Sequence, residues 1–90
     1  MTLSSKQKQH LKAKAHKLKP VILLGNQGLT DAVKKEIDRA LNDHELIKIH
    51  IPIQDREERR AVIADICTSL SAESIQSIGL IAVIYRKLAE

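Results

Sequence analysis

Two features of the sequence have the residue types and spacing to hold a phosphate group: a glycine-bounded loop and a cluster of lysines. The loop is Gly25-Asn26-Gln27-Gly28, between a short apolar run and an amphipathic segment. Glycine lets the backbone approach a ligand closely, and the free N–H groups of a following helix attract anions. By itself the loop fits a plain strand-to-helix turn better, because short glycine motifs often match by chance.

The lysines are concentrated at the start of the chain. The first twenty residues hold six lysines and no acidic residue, whereas the other seventy hold nine Lys or Arg against eleven Asp or Glu. The two segments therefore carry +6 and −2, which together give the net charge of +4. Such asymmetry indicates an anionic partner, either a nucleic acid or a membrane surface. A solvated lysine-rich helix face would explain the same residues without any ligand.

Residues that could carry catalysis or bind a metal form no recognisable arrangement. The four histidines lack the spacing of metal ligands, and Cys67 is the only cysteine. The glycine loop is not followed by the Lys-Ser or Lys-Thr of a P-loop, and no serine occupies a G-x-S-x-G elbow. We therefore expect a protein that is not an enzyme and that uses no cofactor, metal or small-molecule substrate.

Length and composition predict one domain spanning residues 1–90. Its core must be aliphatic, because the chain has twelve Ile, eleven Leu and four Val but one Tyr and no Phe or Trp. The single cysteine, the polar N-terminus and the lack of a long apolar run predict a cytoplasmic monomer that does not associate with membranes. The shortage of aromatic rings argues against base stacking, so any nucleic acid must be bound through phosphate, backbone and shape.

Hydrophobic periodicity predicts an α/β fold with the order α-β-α-β-α-β-β and a mixed four-stranded sheet. The expected elements are a helix from Ser5 to Lys17, a strand at 21–24 buried on both faces, a helix from the N-cap Thr30 to Asp43–His44, a strand at 46–51, a helix after Asp55, and strands at 74–78 and 81–85. The Gly79-Leu80 pair suits a two-residue hairpin.

The predicted topology suggests where the basic residues lie. If helix 1 folds back beside the first strand, its first half, with Lys6, Lys8 and Lys12, lies near the glycine loop. His16 projects from the same side of that helix as Lys8 and Lys12. Lys6, Lys8, Lys12 and the loop would then share one end of the molecule.

Three arginines at the start of helix 3 belong to that end as well. Arg56, Arg59 and Arg60 follow the carboxyl end of a parallel strand, where ligands of open α/β sheets commonly bind. Positive charge at a helix N-terminus opposes the helix dipole. A functional role and salt bridges to Glu57 and Glu58 explain the arginines equally well.

Longer runs of the sequence carry a resemblance to a known family. They are residues 18–30 (LKPVILLGNQGLT), 44–49 (HELIKI) and 6–12 (KQKQHLK) with Ala15-His16. Together these runs resemble the CRM domain, most closely the stand-alone bacterial YhbY-like proteins. The resemblance covers nearly the whole chain, and the combination is far more specific than G-x-x-G alone.

The resemblance implies an RNA-binding fold similar to the C-terminal domain of translation initiation factor 3. It further implies a ribosome-assembly factor that associates with large-subunit precursor rRNA. The family's loop maps onto residues 25–28 and its basic helix onto Lys6, Lys8 and Lys12. With the residues argued above, the predicted RNA-binding set is Gly25, Asn26, Gln27, Gly28, Thr30, Lys6, Lys8, Lys12, His16, Arg56, Arg59 and Arg60.

The loop departs from the family pattern in one respect. Many members carry a basic residue inside it, whereas Asn26 and Gln27 are neutral. This departure keeps an alternative open, in which the chain is a protein-interaction module on pre-ribosomal particles with little direct affinity for RNA.

Overall fold

The computed structural model describes residues 3–88 and has the predicted order of elements. The helices are α1 (Ser5–Ala15), α2 (Asp31–His44) and α3 (Arg56–Leu70), and the strands are β1 (Ile22–Leu23), β2 (Leu46–His50), β3 (Glu73–Ile78) and β4 (Ile81–Tyr85). The prediction of an α/β fold with a mixed four-stranded sheet is confirmed.

The strands lie in the order β1-β2-β4-β3. β1 pairs with β2 in parallel, and β4 is antiparallel to both β2 and β3. Consequently β1, β2 and β3 all finish at the same edge of the sheet, here termed the loop end. The Gly79-Leu80 turn joins β3 to β4 at this end, since Ile78 pairs with Ile81. The other edge, where Leu46 pairs with Tyr85, is termed the far end.

Short polar motifs fix where each helix begins. At α1 the Ser4 hydroxyl accepts from the Gln7 N–H at 3.1 Å, and the Gln7 side chain accepts from the Ser4 N–H at 2.9 Å. These reciprocal bonds satisfy two N–H groups that the helix itself leaves free. Thr30 caps α2 and Asp55 caps α3, each through its side-chain oxygen. The sequence therefore predicted where each helix begins.

The helices divide between the two faces of the sheet. α2 and α3 cover one face, where Ile37, Leu41 and Ile66 pack against the inward row of β2. α1 lies alone on the other face, where Leu11 and Ala15 pack on Leu46, Ile75 and Val83. One helix of eleven residues spans about 16 Å and covers only part of a four-stranded sheet.

The expectation that the first strand is buried on both faces is wrong. Ile22 and Leu24 are buried, but Val21 and Leu23 are 51% and 66% exposed. β1 is an edge strand, and its outward residues lie on the face that α1 covers only in part. A continuous apolar run cannot reveal this difference, because the run does not specify which helices cover the sheet.

A polar clamp closes the far end. The Arg86 guanidinium donates to the Asp38 carboxylate at 2.7 Å, to the Leu70 carbonyl at 2.9 Å and to the Asn42 side chain at 2.8 Å. It also donates to the Asp38 carbonyl at 3.1 Å. One partly buried side chain thus ties the end of the sheet to both α2 and α3.

Replacing Arg86 with alanine should lower the free energy of unfolding by about 1–3 kcal/mol, because several charge-assisted hydrogen bonds are lost together. Denaturant unfolding followed by circular dichroism measures the change. Lys87→Ala removes the neighbouring exposed cation, whose side chain forms no hydrogen bond or ion pair with residues 3–88, and should alter stability by less than about 0.5 kcal/mol. Equal effects of the two substitutions would contradict a clamping role for Arg86.

Candidate nucleic-acid interface

The glycine loop is a tight, open turn at the loop end. The N–H of Gly28 donates to the Gly25 carbonyl at 3.0 Å, and the N–H of Thr30 donates to the Gly28 carbonyl at 3.2 Å. Just before the turn, the N–H of Leu24 donates to the His50 carbonyl at 2.9 Å, which holds the loop against the end of β2. Gly25, Asn26 and Gln27 are exposed.

The two glycines of the loop differ in what they require. Gly28 has φ +73°, a conformation that side chains with a Cβ adopt only with strain. Gly25 has no positive φ, and a Cβ built there meets nothing within 4 Å. Neither backbone strain nor intramolecular packing therefore demands glycine at position 25. An incoming ligand that approaches the backbone closely would demand it.

Thr30 connects the loop to α2. Its Oγ1 accepts from the Val33 N–H at 3.2 Å, and its own hydroxyl hydrogen is left to donate elsewhere. Asp31 occupies the first helical position and brings a carboxylate to the helix N-terminus. Lys34 and Lys35 follow on the next turn, and Lys34 lies 4.0 Å from Asp65. The start of α2 thus combines hydrogen-bond donors with charges of both signs.

The three arginines of α3 surround a polar cleft at the loop end. Arg56, Arg59 and Arg60 line it together with Ser77 and Gly79 of the β3–β4 hairpin, and it encloses about 290 Å³. The prediction that these arginines lie at the same end as the glycine loop is confirmed by this contact. The β3–β4 hairpin lies two to three strand spacings, or about 10–14 Å, from β1, the strand that leads into the glycine loop.

The roles of the arginines are not alike. Arg59 is half-buried and donates to the carbonyls of Ile53 and Gln54, at 2.7 and 3.4 Å, so it orders the segment that precedes α3. Arg56 and Arg60 are exposed. Within residues 3–88, the ion pairs are Lys34–Asp65 and Arg86–Asp38, so the salt bridges to Glu57 and Glu58 considered from the sequence do not form.

The expected position of helix 1 is wrong. Lys6 lines a groove with His10, Leu11 and Tyr85, which places the start of α1 at the far end of the sheet. The C-terminal end of α1, not its first half, points toward the loop end. Because α1 crosses the face opposite α2 and α3, it does not fold back beside β1 as the sequence argument assumed.

The lysines of α1 are therefore spread along the sheet. Lys6 and His16 are ten residues apart, which is about 15 Å along the helix axis. Lys8 is half-buried, and Lys12 is exposed one turn before His16. Of the α1 residues predicted to bind RNA, His16 is nearest the loop end and Lys6 is farthest from it.

His16 lines a second groove, on the α1 face of the sheet. The groove encloses about 240 Å³ and is lined by Ala15, His16, Lys48, Gln76, Ile78, Ile81 and Val83. The Lys48 ammonium donates to the Leu18 carbonyl at 2.9 Å, so a cation from the middle of β2 is fixed beneath the segment that leaves α1.

Lys48 and His50 were not among the residues predicted from the sequence to bind RNA. The alternation of residues 46–51 places both on the face of the strand opposite Ile47, Ile49 and Ile51. In the structure this face is the one that α1 covers only partly, so both side chains are half-buried beside His16 and the end of β1. The alternation of residues 46–51 indicated that Lys48 and His50 share a face of the sheet, but it did not indicate which helix covers that face.

Other reactive groups lie apart from these grooves. Cys67 packs beside the α2–α3 core, and burial, together with the nearby carboxylate of Glu73, raises the pKa of its thiol. The thiol is therefore a weak nucleophile at neutral pH. Among residues 3–88, no three His, Cys, Asp or Glu side chains gather as metal ligands would. No helix in this part of the chain is long and apolar enough to cross a membrane.

Comparisons with known proteins give consistent matches. Residues 3–86 match the CRS1 / YhbY (CRM) domain family. An RNA-binding protein of Haemophilus influenzae is 49% identical over 89 residues, covering 99% of this chain and 90% of the relative. A probable RNA-binding protein of Pseudomonas aeruginosa is 44% identical over 87 residues, covering 97% and 84%. The solution structure of a Staphylococcus aureus protein, 31% identical, superposes with a TM-score of 0.86 over 99% of this chain and 93% of that protein.

The contrast between the two loop glycines gives a stability test. Gly28→Ala should lower the free energy of unfolding by about 1–2 kcal/mol, because the left-handed conformation strains a residue with a Cβ. Gly25→Ala should leave stability unchanged or raise it by up to about 1 kcal/mol, because it restricts only the unfolded chain. Thermal or denaturant unfolding of both variants measures this. A large loss of stability in Gly25→Ala would show that the position has a structural requirement.

Proposed function

Because this chain belongs to the CRS1 / YhbY (CRM) domain family, we propose that it is an RNA-binding protein whose binding surface is the loop end of the sheet. Relatives that match nearly its whole length are named as RNA-binding proteins, which supports the proposal. One observation carries the choice of surface: the open glycine turn lies at the same end of the sheet as the exposed Arg56 and Arg60 of α3. The groove that Lys48 of β2 lines opens toward this end from the other face.

The proposed mechanism uses the loop as a backbone contact. Gly25 leaves room for a phosphate or sugar edge to approach the main chain, and the Thr30 hydroxyl is available as a donor. Asn26 and Gln27 add amide donors and acceptors without charge. The loop would therefore position RNA, whereas the net attraction would come from lysine and arginine elsewhere on the surface.

The charged contribution comes from two directions. Arg56 and Arg60 are exposed at the cleft beside the hairpin, and each guanidinium suits bidentate contact with a phosphate. On the other face, Lys12 and His16 lead from the loop end along α1. Lys8 continues this line toward the far end, whereas Lys6 lies on a different side of the helix, since successive residues are about 100° apart.

The finer proposal is that the RNA belongs to the precursor of the large ribosomal subunit. The family resemblance supports this identification. The spread of the basic residues over both sides of the loop end favours a folded RNA, which can present phosphates to several directions at once. The chain would then act in ribosome assembly as a binding protein without its own chemistry.

An alternative is a module that contacts protein on pre-ribosomal particles. The neutral loop and the exposed aliphatic residues Leu23 and Ile78 favour it. Purified protein mixed with protein-free large-subunit RNA separates the two functions. Direct binding supports the RNA proposal, and binding only to particles that retain their proteins supports the alternative.

RNA affinity should fall steeply with salt. If about four to six phosphates are neutralised, the slope of log affinity against log salt should be about −3 to −5. The double variant Arg56→Gln with Arg60→Gln should make this slope shallower by about 2, whereas Lys87→Gln at the far end should leave it unchanged. Fluorescence anisotropy over a salt series measures all three proteins, and an affinity independent of salt would refute the mechanism.

Gly25→Val should weaken RNA binding by about tenfold or more, since it blocks a charge-assisted contact between backbone and phosphate. A Cβ built at position 25 meets nothing within 4 Å and the residue is exposed, so the variant should remain folded. Circular dichroism checks the fold, and anisotropy at fixed salt measures affinity. A folded Gly25→Val protein that binds RNA normally would show that the loop takes no part.

A further inference from the structure

The α1 face of the sheet carries an uncovered row of side chains at the loop end. Register places Leu23 beside His50, His50 beside Ile81, and Ile81 beside Ile78, so the row contains one residue from each of the four strands. Paired residues of adjacent strands project to the same face. The four side chains therefore form one line across the sheet, about 14 Å long.

This row is exposed where an apolar surface would ordinarily be covered. Leu23 is 66% exposed and Ile78 is 60% exposed, while His50 and Ile81 are half-buried. The packing residues of α1, Leu11 and Ala15, lie over Leu46 and Val83, which belong to rows farther from the loop end. α1 thus stops short of the last row, and the groove at its C-terminal end opens onto Ile78 and Ile81.

The charges that border the row are all of one sign. They are Lys48, which lies in the next row on the same face, and Lys12, which lies one helical turn before the residue His16 that lines the adjoining groove. No carboxylate occurs in α1 or in the two rows of this face nearest the loop end. The row also begins two residues before Gly25, at the start of the glycine loop.

We propose that this row, Leu23, His50, Ile81 and Ile78, is a platform for unpaired RNA bases whose phosphates lie on the neighbouring cations. The inference rests on the proposed function and adds to it a class of RNA, namely single-stranded segments. Unpaired bases are flat, weakly polar on their faces and attached to a polyanion, which matches an apolar row with a cationic border. His50 at its centre offers a ring for stacking, and the aliphatic neighbours extend the apolar surface.

The dimensions favour bases over a protein partner. A stable protein interface buries about 800 Å² on each side, whereas this row is a single side chain wide. Only Phe, Tyr and Trp were counted as stacking rings in the sequence, whereas the ring of His50 can also stack on a base. Tyr85, the only tyrosine, pairs with Leu46 at the far end and takes no part in this platform.

The test compares an unstructured oligonucleotide with an RNA hairpin that has the same number of phosphates and whose loop carries no bases. Leu23→Ser and Ile78→Ser should each weaken binding of the unstructured RNA by about five- to tenfold. This change corresponds to the lower end of the range for losing one stacked base. Binding of the hairpin and the salt dependence should change little. Leu88→Ser is the matched control, because Leu88 is also an exposed aliphatic residue but lies beyond the far end.

The outcomes separate this inference from the proposed function. If the unmodified protein binds neither RNA, the proposed function fails. If it binds RNA but Leu23→Ser and Ile78→Ser bind both RNAs as the control does, the platform is refuted and the function stands. An equal loss for both RNAs, or a loss of self-association in sedimentation experiments instead, would likewise overturn the assignment to unpaired bases.

Discussion

The parallel pairing of β1 with β2 is the constraint on which the proposed binding surface depends. The Val21 N–H donates to the Lys48 carbonyl at 3.1 Å, and the Leu24 N–H donates to the His50 carbonyl at 2.9 Å. These bonds flank a strand of only two residues and fix the position from which the glycine loop leaves the sheet. Because the strands are parallel, the loop emerges where β2 also ends, at the same end of the sheet as the start of α3.

Partial coverage of the sheet has a second consequence. Two helices cover one face fully, whereas α1 alone covers the other and stops before the last row. The core remains sound because Ile47, Ile49 and Ile51 face the two-helix side, where they are buried. The less covered face is therefore free to keep polar and exposed apolar residues together without exposing the main core. The single helix thus leaves one face of the sheet accessible, while the two helices on the other face keep the main core buried.

The basic residues lie at a distance from the glycine loop and not inside it. Asn26 and Gln27 leave the loop uncharged, while Arg56 and Arg60 lie across the sheet and Lys12 lies along α1. In the proposed function, the loop positions the RNA through a close backbone contact, whereas the distant lysines and arginines supply the electrostatic attraction. This arrangement is consistent with an RNA that is held at several points of its surface.

The sequence by itself determined the order of the elements and, within the candidate site, the glycine loop and its position before α2. Ser4, Thr30 and Asp55 marked the helix starts because their side chains bond to nearby N–H groups, an interaction that is local in the chain. Gly79-Leu80 identified the hairpin because glycine readily adopts the positive φ of such a turn, which is also a local requirement. Only the tertiary structure decided the direction of α1, the exposure of Leu23, and the meeting of His16 with Lys48. Those features depend on which face each helix covers, and hydrophobic periodicity specifies a buried side without specifying its partner.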